Sequence, residues 1–337
     1  MTMRAVGYQS DRLALLDIEL PKPHPTGHDL LVNVEAVAIN PVDAKVRQRE
    51  SPPSGSWRVL GWDACGVVAA VGTSVQGFQA GDRVWYAGAL DRPGCNSEWH
   101  LVDHRLVSRA PRTLNSTQAA ALPLTGITAW ELLFDRLRLQ QDTSAHGGEV
   151  LLVVGASGGV GSILVQLVQA LTGITVVATA SRPESEQWLR DLGVATVINH
   201  QLPLQPQLQA LGVDRVGRVI SLTHTAHHFS ALVDLLEPQG CLALIDDPDP
   251  AAMNVLALKR KSLSLHWELM FTRSLYQTPD MAQQGRILQQ IADLVDRGIL
   301  RTTLRELLRP ISAATLEQAH RQIAAGHTLG KLVLAGW

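Results

Sequence analysis

The stretch EVLLVVGASGGVGSILVQLVQALTGITVVATASR, Glu149 to Arg182, limits the possible fold more than any other part of the chain. A short apolar run, a glycine-rich turn, a longer apolar segment and a second β-branched run read as strand, turn, helix and strand, which is one βαβ unit. Gly155, Gly158 and Gly161 recur at every third position of the turn. A tight turn needs residues that tolerate positive φ. A pyrophosphate must also come close to the backbone, where a Cβ would stand in its way. The helix that follows points unpaired N–H groups and its positive dipole end at the phosphate. In this context Gly155, Ser157, Gly158, Gly159, Val160 and Gly161 read as a dinucleotide cradle. An ordinary glycine-rich βα turn is the plainer alternative.

The end of the second strand bears on which dinucleotide. NAD sites place an acidic residue there, about twenty residues after the turn, to bind the ribose hydroxyls. Here the position holds Ser181 and Arg182. These suit the extra 2′-phosphate of NADP through a charge-assisted pair, although Arg182 could also be a surface residue. Glu184 and Glu186 follow in the first turn of the next helix, where the helix dipole accounts for them. His200, in VINH, could reach the phosphate, and a surface histidine is the simpler account. Leu222, Thr223 and Ile245 end later strands, where the nucleotide passes by topology.

The rest of the chain extends the pattern. Helix PESEQWLRDLG, strand ATVIN, strand RVISLT, helix TAHHFSALVDLLEPQG and strand CLALID alternate, predicting a parallel sheet covered on both faces. His224, His227 and His228 are expected as exposed residues at a helix start rather than as metal ligands. The first third is β-rich, and the end of the chain carries two helical segments and a strand, GKLVLAGW. With 337 residues and 46% apolar content, two domains with full cores are expected. A net charge of −2 with scattered cations gives no sign of a nucleic-acid partner, and none is expected. Cys65, Cys95 and Cys241 are too far apart for a disulfide framework or a CxxC metal knuckle. No signal-peptide h-region and no apolar run long enough to span a bilayer is found. A soluble cytoplasmic setting is the expectation.

Several further motifs carry a family resemblance over nearly the whole length: AINPVDAKVR (Ala38 to Arg47), GWDACGVVAAVG (Gly61 to Gly72), GFQAGDRVW (Gly77 to Trp85), AAALPLTGITAWELL (Ala119 to Leu133), the glycine turn, and GKLVL (Gly330 to Leu334). Together they resemble the medium-chain dehydrogenase/reductase family, in its quinone oxidoreductase-like, zinc-free branch. SLTHT, IDDP and KRKSLSLHWELMFTRS are similar to the subgroup labelled zinc-type alcohol dehydrogenase-like. The resemblance implies an α/β protein: a GroES-like β-barrel catalytic domain, residues 1–125 completed by 275–337, and a Rossmann doubly wound parallel-sheet NADP domain, residues 126–274. It also implies a homodimer paired through a Rossmann edge strand, here SLSLHWELM.

Zinc-bearing members supply an early Cys, a His after the glycine of the second motif, and a later Cys or Asp. In this chain Asn40-Pro41-Val42-Asp43 has no Cys, the His position is Trp62, and LPLTGITAW has no thiol. No metal is therefore expected. The resemblance then implies hydride transfer from NADPH to a quinone or an α,β-unsaturated carbonyl. The rivals are a zinc-dependent alcohol dehydrogenase and a non-catalytic NADPH-binding regulatory protein. Asn40 could bind the carboxamide, the ribose or the substrate oxygen, with Asp43 orienting it; a plain Pro turn is the alternative. Thr125 would approach the nicotinamide unless it is a helix N-cap. Tyr86 is a candidate proton donor unless it is core. Lys331 resembles the family's cofactor-side lysine unless it is solvated. Trp57, Trp62, Trp267 and Phe271 are expected to give a small-molecule pocket its aromatic character, with core or interface filling as the alternative.

Overall fold

The computed structural model describes residues 1–10 and 12–337. In chain order its strands are β1 (Thr2–Gln9), β2 (Arg12–Pro21), β3 (Asp29–Ala38), β4 (Arg58–Val59), β5 (Ala64–Val71), β6 (Arg83–Tyr86), β7 (Trp99–Asp103), β8 (Val107–Arg109), β9 (Val150–Val154), β10 (Thr175–Thr179), β11 (Thr196–Ile198), β12 (Val216–Ser221), β13 (Leu236–Leu244), β14 (Ser264–Trp267), β15 (Leu304–Leu308) and β16 (Lys331–Ala335). Two compact units result: Met1–Ile127 with Met270–Trp337, and Thr128–Leu269.

The first unit holds a three-stranded sheet, β2-β1-β4, and a seven-stranded sheet ordered β15-β16-β3-β5-β6-β8, with β7 also paired to β3. Strand β3 is its hub. Leu30, Val32, Val34 and Ala36 are buried on one face of it, and Leu31 and Val37 are buried on the other. The chain's last strand joins the same sheet: β16 runs antiparallel to β3, pairing Val333 with Ala38. On the other side β5 pairs Ala64 with Val37. Residues following β3 are thus flanked by the start of β16 and the lead-in to β5.

The second unit is a six-stranded sheet ordered β11-β10-β9-β12-β13-β14, and every pairing in it is parallel. This is the doubly wound order, whose direction reverses between β9 and β12, and ligands of such sheets bind at the strand carboxyl ends beside that reversal. The near-continuous burial of Leu151, Leu152, Val153 and Val154 reflects cover on both faces. One expected boundary moves. The helix at Thr225 stops at Leu235 and β13 begins at Leu236, so EPQG is strand rather than helix. Pro238 disfavours helical backbone at Glu237 and offers no N–H for a helical bond. Strand β14 lies at the sheet's edge.

Candidate active site

In the first unit the strand register gathers a buried polar cluster. Asn40 follows β3, and continuing the β3–β16 pairing sets Lys331 opposite it. Ala38 donates its N–H to the Asp63 carbonyl at 3.0 Å, which brings Asp63 to the same place from the β5 side. The Lys331 ammonium donates to Asp63 Oδ2 at 2.8 Å, Asn40 Oδ1 at 2.5 Å and the Ile39 carbonyl at 3.0 Å. Asn40 Nδ2 donates to Asp63 Oδ2 at 2.9 Å and to the Ala38 carbonyl at 3.4 Å. Asp63 Oδ1 accepts the Leu124 N–H at 2.8 Å. Lys331 is 3% exposed and Asp63 0%. Burial pushes the Asp63 carboxyl upward, and the ammonium and the hydrogen bonds pull it back.

An ammonium has three donors and a primary amide has two. Both sets are fully engaged inside the cluster. Lys331 is therefore not a solvated lysine, and in this structure its three N–H groups and both side-chain N–H groups of Asn40 are matched within the cluster. Sequence reasoning left Asp63 out of the site. The signal was a lone carboxylate in the apolar run VLGWDACGVVAAVG, since a charge buried there needs a partner.

Asp43, in the helix Pro41–Arg49, is also fully buried. Its Oδ2 accepts the Asn40 N–H at 2.7 Å. Burial drives its carboxyl up to about 7, against the pull of that N–H and of Lys331. Thr125 is not an N-cap: it lies inside the helix Pro123–Trp130 and its hydroxyl donates back to the Leu122 carbonyl at 3.2 Å.

Tyr86 is buried, and its hydroxyl lies 3.0 Å from His100 Nδ1. His100 Nε2 lies 2.9 Å from the Pro93 carbonyl, which can only accept. The ring proton is therefore on Nε2, Nδ1 accepts, and Tyr86 gives its proton to His100. Burial holds His100 neutral, with its pKa down at about 4. In this geometry Tyr86 is buried and its hydroxyl is engaged by His100, as the core alternative expects.

Among the aromatic residues, Trp62 and Phe271 are buried and meet edge to face with centroids 6.3 Å apart. The Trp62 indole donates to the Ala89 carbonyl at 3.0 Å. Trp57 is half-buried. Trp267 belongs to the other unit, where it is 52% exposed on β14.

In the second unit the glycine turn links β9 to the helix Gly159–Leu171. Its three glycines are needed for different reasons. Gly155 has φ +77°, and a Cβ there would lie 2.6 Å from Thr223 Cγ2. A Cβ on Gly161 would lie 2.3 Å from the Ala156 carbonyl oxygen, so this glycine lets the helix pack close. A Cβ on Gly158 would meet only the Gly155 carbonyl oxygen, at 3.8 Å. Its face is open, at the N-cap where the helix N–H groups begin. That is the space a phosphate needs. Ser157, Gly158, Gly159 and Val160 are all partly exposed there. Thr179, at the end of β10, accepts the Gly155 N–H at 3.2 Å.

Ser181 and Arg182 follow β10, Leu222 and Thr223 follow β12, and Ile245 follows β13, all partly exposed at the carboxyl ends of the strands. His200 is half-buried, with Nδ1 3.1 Å from Thr179 Oγ1. His224 and His227 are exposed as expected, but His228 is buried. It lies on the helix face that carries Phe229 and Leu232 inward.

A parallel six-stranded sheet with this turn, in a chain whose other unit is rich in antiparallel strands and closed by the chain's last strand, defines a nicotinamide-type oxidoreductase fold. The sequence matches the alcohol dehydrogenase GroES-like domain over residues 26–112 and the zinc-binding dehydrogenase domain over residues 192–334. The chain belongs to the medium-chain dehydrogenase/reductase family. It is 35% identical to a zinc-type alcohol dehydrogenase-like protein of Staphylococcus epidermidis, across 98% of this chain and 99% of that one. A crystal structure from Rhizobium etli, of a protein provisionally named a zinc-dependent alcohol dehydrogenase, superposes with a TM-score of 0.94 at 49% identity, covering 100% and 99% of the two chains. The mitochondrial NAD(P)H oxidoreductase RTN4IP1 of Danio rerio is 27% identical over 91% of this chain and 84% of its own.

Proposed function

We propose that the chain is an NADPH-dependent reductase that passes a hydride to a quinone or an α,β-unsaturated carbonyl without a catalytic zinc. One observation carries this reading: the Lys331 ammonium is seated on Asp63 and Asn40. A catalytic zinc takes three protein ligands and keeps one open position. The position assigned to a ligating His is Trp62, whose nitrogen is a donor only. The adjacent carboxylate already carries its own cation. Among the described residues no group of three His, Cys, Asp or Glu is placed to hold a metal. The donor set does not fit zinc.

A nicotinamide dinucleotide does fit. The open Gly158 face and the helix start would receive its pyrophosphate, and Ser181 and Arg182 its 2′-phosphate. When bound, NADPH supplies the hydride. A quinone or enone accepts it at a carbon whose charge delocalises onto a distant oxygen, so it needs less electrophilic help than a simple carbonyl. Asp43 is the member of the buried cluster able to hold a proton near neutral pH. A homodimer paired through β14 belongs to the same reading.

The test is NADPH oxidation with a panel of quinones, enones and simple carbonyls, with and without a strong chelator. Turnover of quinones or enones that the chelator leaves unchanged is expected. Chelator-sensitive oxidation of simple alcohols, with stoichiometric zinc, would instead establish the role provisionally given to the Rhizobium etli relative. Tight NADPH binding without turnover on any acceptor would leave a regulatory protein. Arg182→Glu is expected to lower the NADPH-to-NADH preference by about tenfold or more, and an unchanged ratio removes Arg182 from the phosphate site.

A further inference from the structure

A group of histidines in the second unit has no part in the chemistry above. His200 lies just beyond β11, and His224, His227 and His228 lie where the helix Thr225–Leu235 begins after β12. Their rings touch. The His227 and His228 centroids are 4.7 Å apart with planes at 81°, and His228 meets His200 at 6.0 Å and 76°. His224 holds a left-handed backbone, φ +53°, with Nδ1 2.9 Å from Thr223 Oγ1. Thr179 ties the group to the glycine turn: its hydroxyl accepts the Gly155 N–H at 3.2 Å and lies 3.1 Å from His200 Nδ1.

The charges acting on His200 and His228 come from the other histidines. His200 is held below the ordinary imidazole range by burial and by His224 and His227. His228 is held down at about 4 by burial and by His227, His200 and His224. Thr179, Ser181 and Arg182 come from the neighbouring β10 end. The carboxylate on the β13 side, Asp246, accepts both the Thr225 N–H at 2.9 Å and its hydroxyl at 2.5 Å, and is committed to the helix start. The structure thus collects four imidazoles beyond the carboxyl ends of β11 and β12, and among the described residues no carboxylate is paired with them. Such a group repels added protons when alone and accepts them readily when a dianion sits beside it.

We propose that His200, His227 and His228, together with Ser181 and Arg182, form a phosphate-monoester site that takes up a proton as it binds the cofactor's 2′-phosphate, so that NADPH is favoured over NADH more strongly as the pH falls. This inference rests on the reading of the cofactor as NADPH. A phosphate monoester stays largely dianionic down to about pH 6, so the useful window lies between there and about pH 8. Within it, each proton taken up on binding raises affinity by up to about tenfold per pH unit lowered.

Isothermal titration calorimetry of the full chain with NADPH, NADH, adenosine 2′-phosphate and adenosine 5′-phosphate, at several pH values and in buffers of different ionisation enthalpy, reads both quantities. Proton uptake is expected with NADPH and adenosine 2′-phosphate and not with NADH or adenosine 5′-phosphate. The NADPH-to-NADH affinity ratio is expected to rise about tenfold from pH 8 to pH 6.5. In His227→Gln, an exposed position where folding is not at stake, the uptake falls and the ratio at pH 6.5 drops toward its pH 8 value. A pH-independent NADPH preference without proton uptake overturns the histidine site and leaves the NADPH reading standing. Tighter binding of NADH at every pH overturns both.

Discussion

Two regions collect polar groups at the ends of strands and use them in opposite ways. Around Asn40 the strand register brings together an ammonium, an amide and a carboxylate, and every N–H of Lys331 and of the Asn40 side chain is matched inside the cluster. At the carboxyl end of β9 the backbone keeps an open glycine face, and among the described residues no carboxylate is paired with the histidines beyond β11 and β12. A closed cluster fixes geometry, whereas an open one can receive a ligand. A polar residue in a motif is therefore assigned to a ligand only after its own hydrogen-bond capacity has been counted.

The sharpest way to break this comparison is Lys331→Met. It leaves Asp63 buried without its cation and is expected to cost about 3–5 kcal/mol in chemical denaturation. Adding Asp63→Asn should recover a large part of that loss, because the uncompensated charge goes. A loss below about 1 kcal/mol in the single variant would mean that the pair is not closed.

The glycine turn offers a smaller contrast. Gly161→Ala drives a methyl against the Ala156 backbone and should cost about 1–3 kcal/mol of stability. Gly158→Ala places its methyl in open space, so stability should stay within about 1 kcal/mol of the parent, while NADPH binding weakens at least about tenfold. Equal NADPH affinity in Gly158→Ala would remove that face from the cofactor site.

The mildest expected effect is that of Tyr86→Phe. It strips the donor from buried His100 Nδ1 and should cost about 1–2 kcal/mol. Turnover should be retained. Loss of turnover at full stability would restore Tyr86 as a proton donor.

The fold was legible because its signals are local. The glycine spacing after VLLVV and the alternation of apolar runs specify strand, turn and helix without any distant contact. The helix end before Pro238 was misjudged because the apolar pattern TAHHFSALVDLL carries on past the point where the proline's missing N–H stops the helix. The site was less legible. Trp62, in the place of a histidine, was visible in the sequence, but Asp63 beside it passed as background. Lys331 and Asn40 are 291 positions apart, and no motif reports what each is bonded to.

By itself the sequence determined the family, the parallel sheet and the glycine turn after its first strand, because short-range periodicity and glycine's freedom at positive φ act within a few residues. Only the tertiary structure decided which polar groups are satisfied. Hydrogen-bond partners and burial depend on which strands become neighbours, and here β16 returns from the end of the chain to lie against β3. That return turns Lys331 inward onto Asp63, and the same kind of long-range packing buries His228 against His200 and seals Tyr86 onto His100.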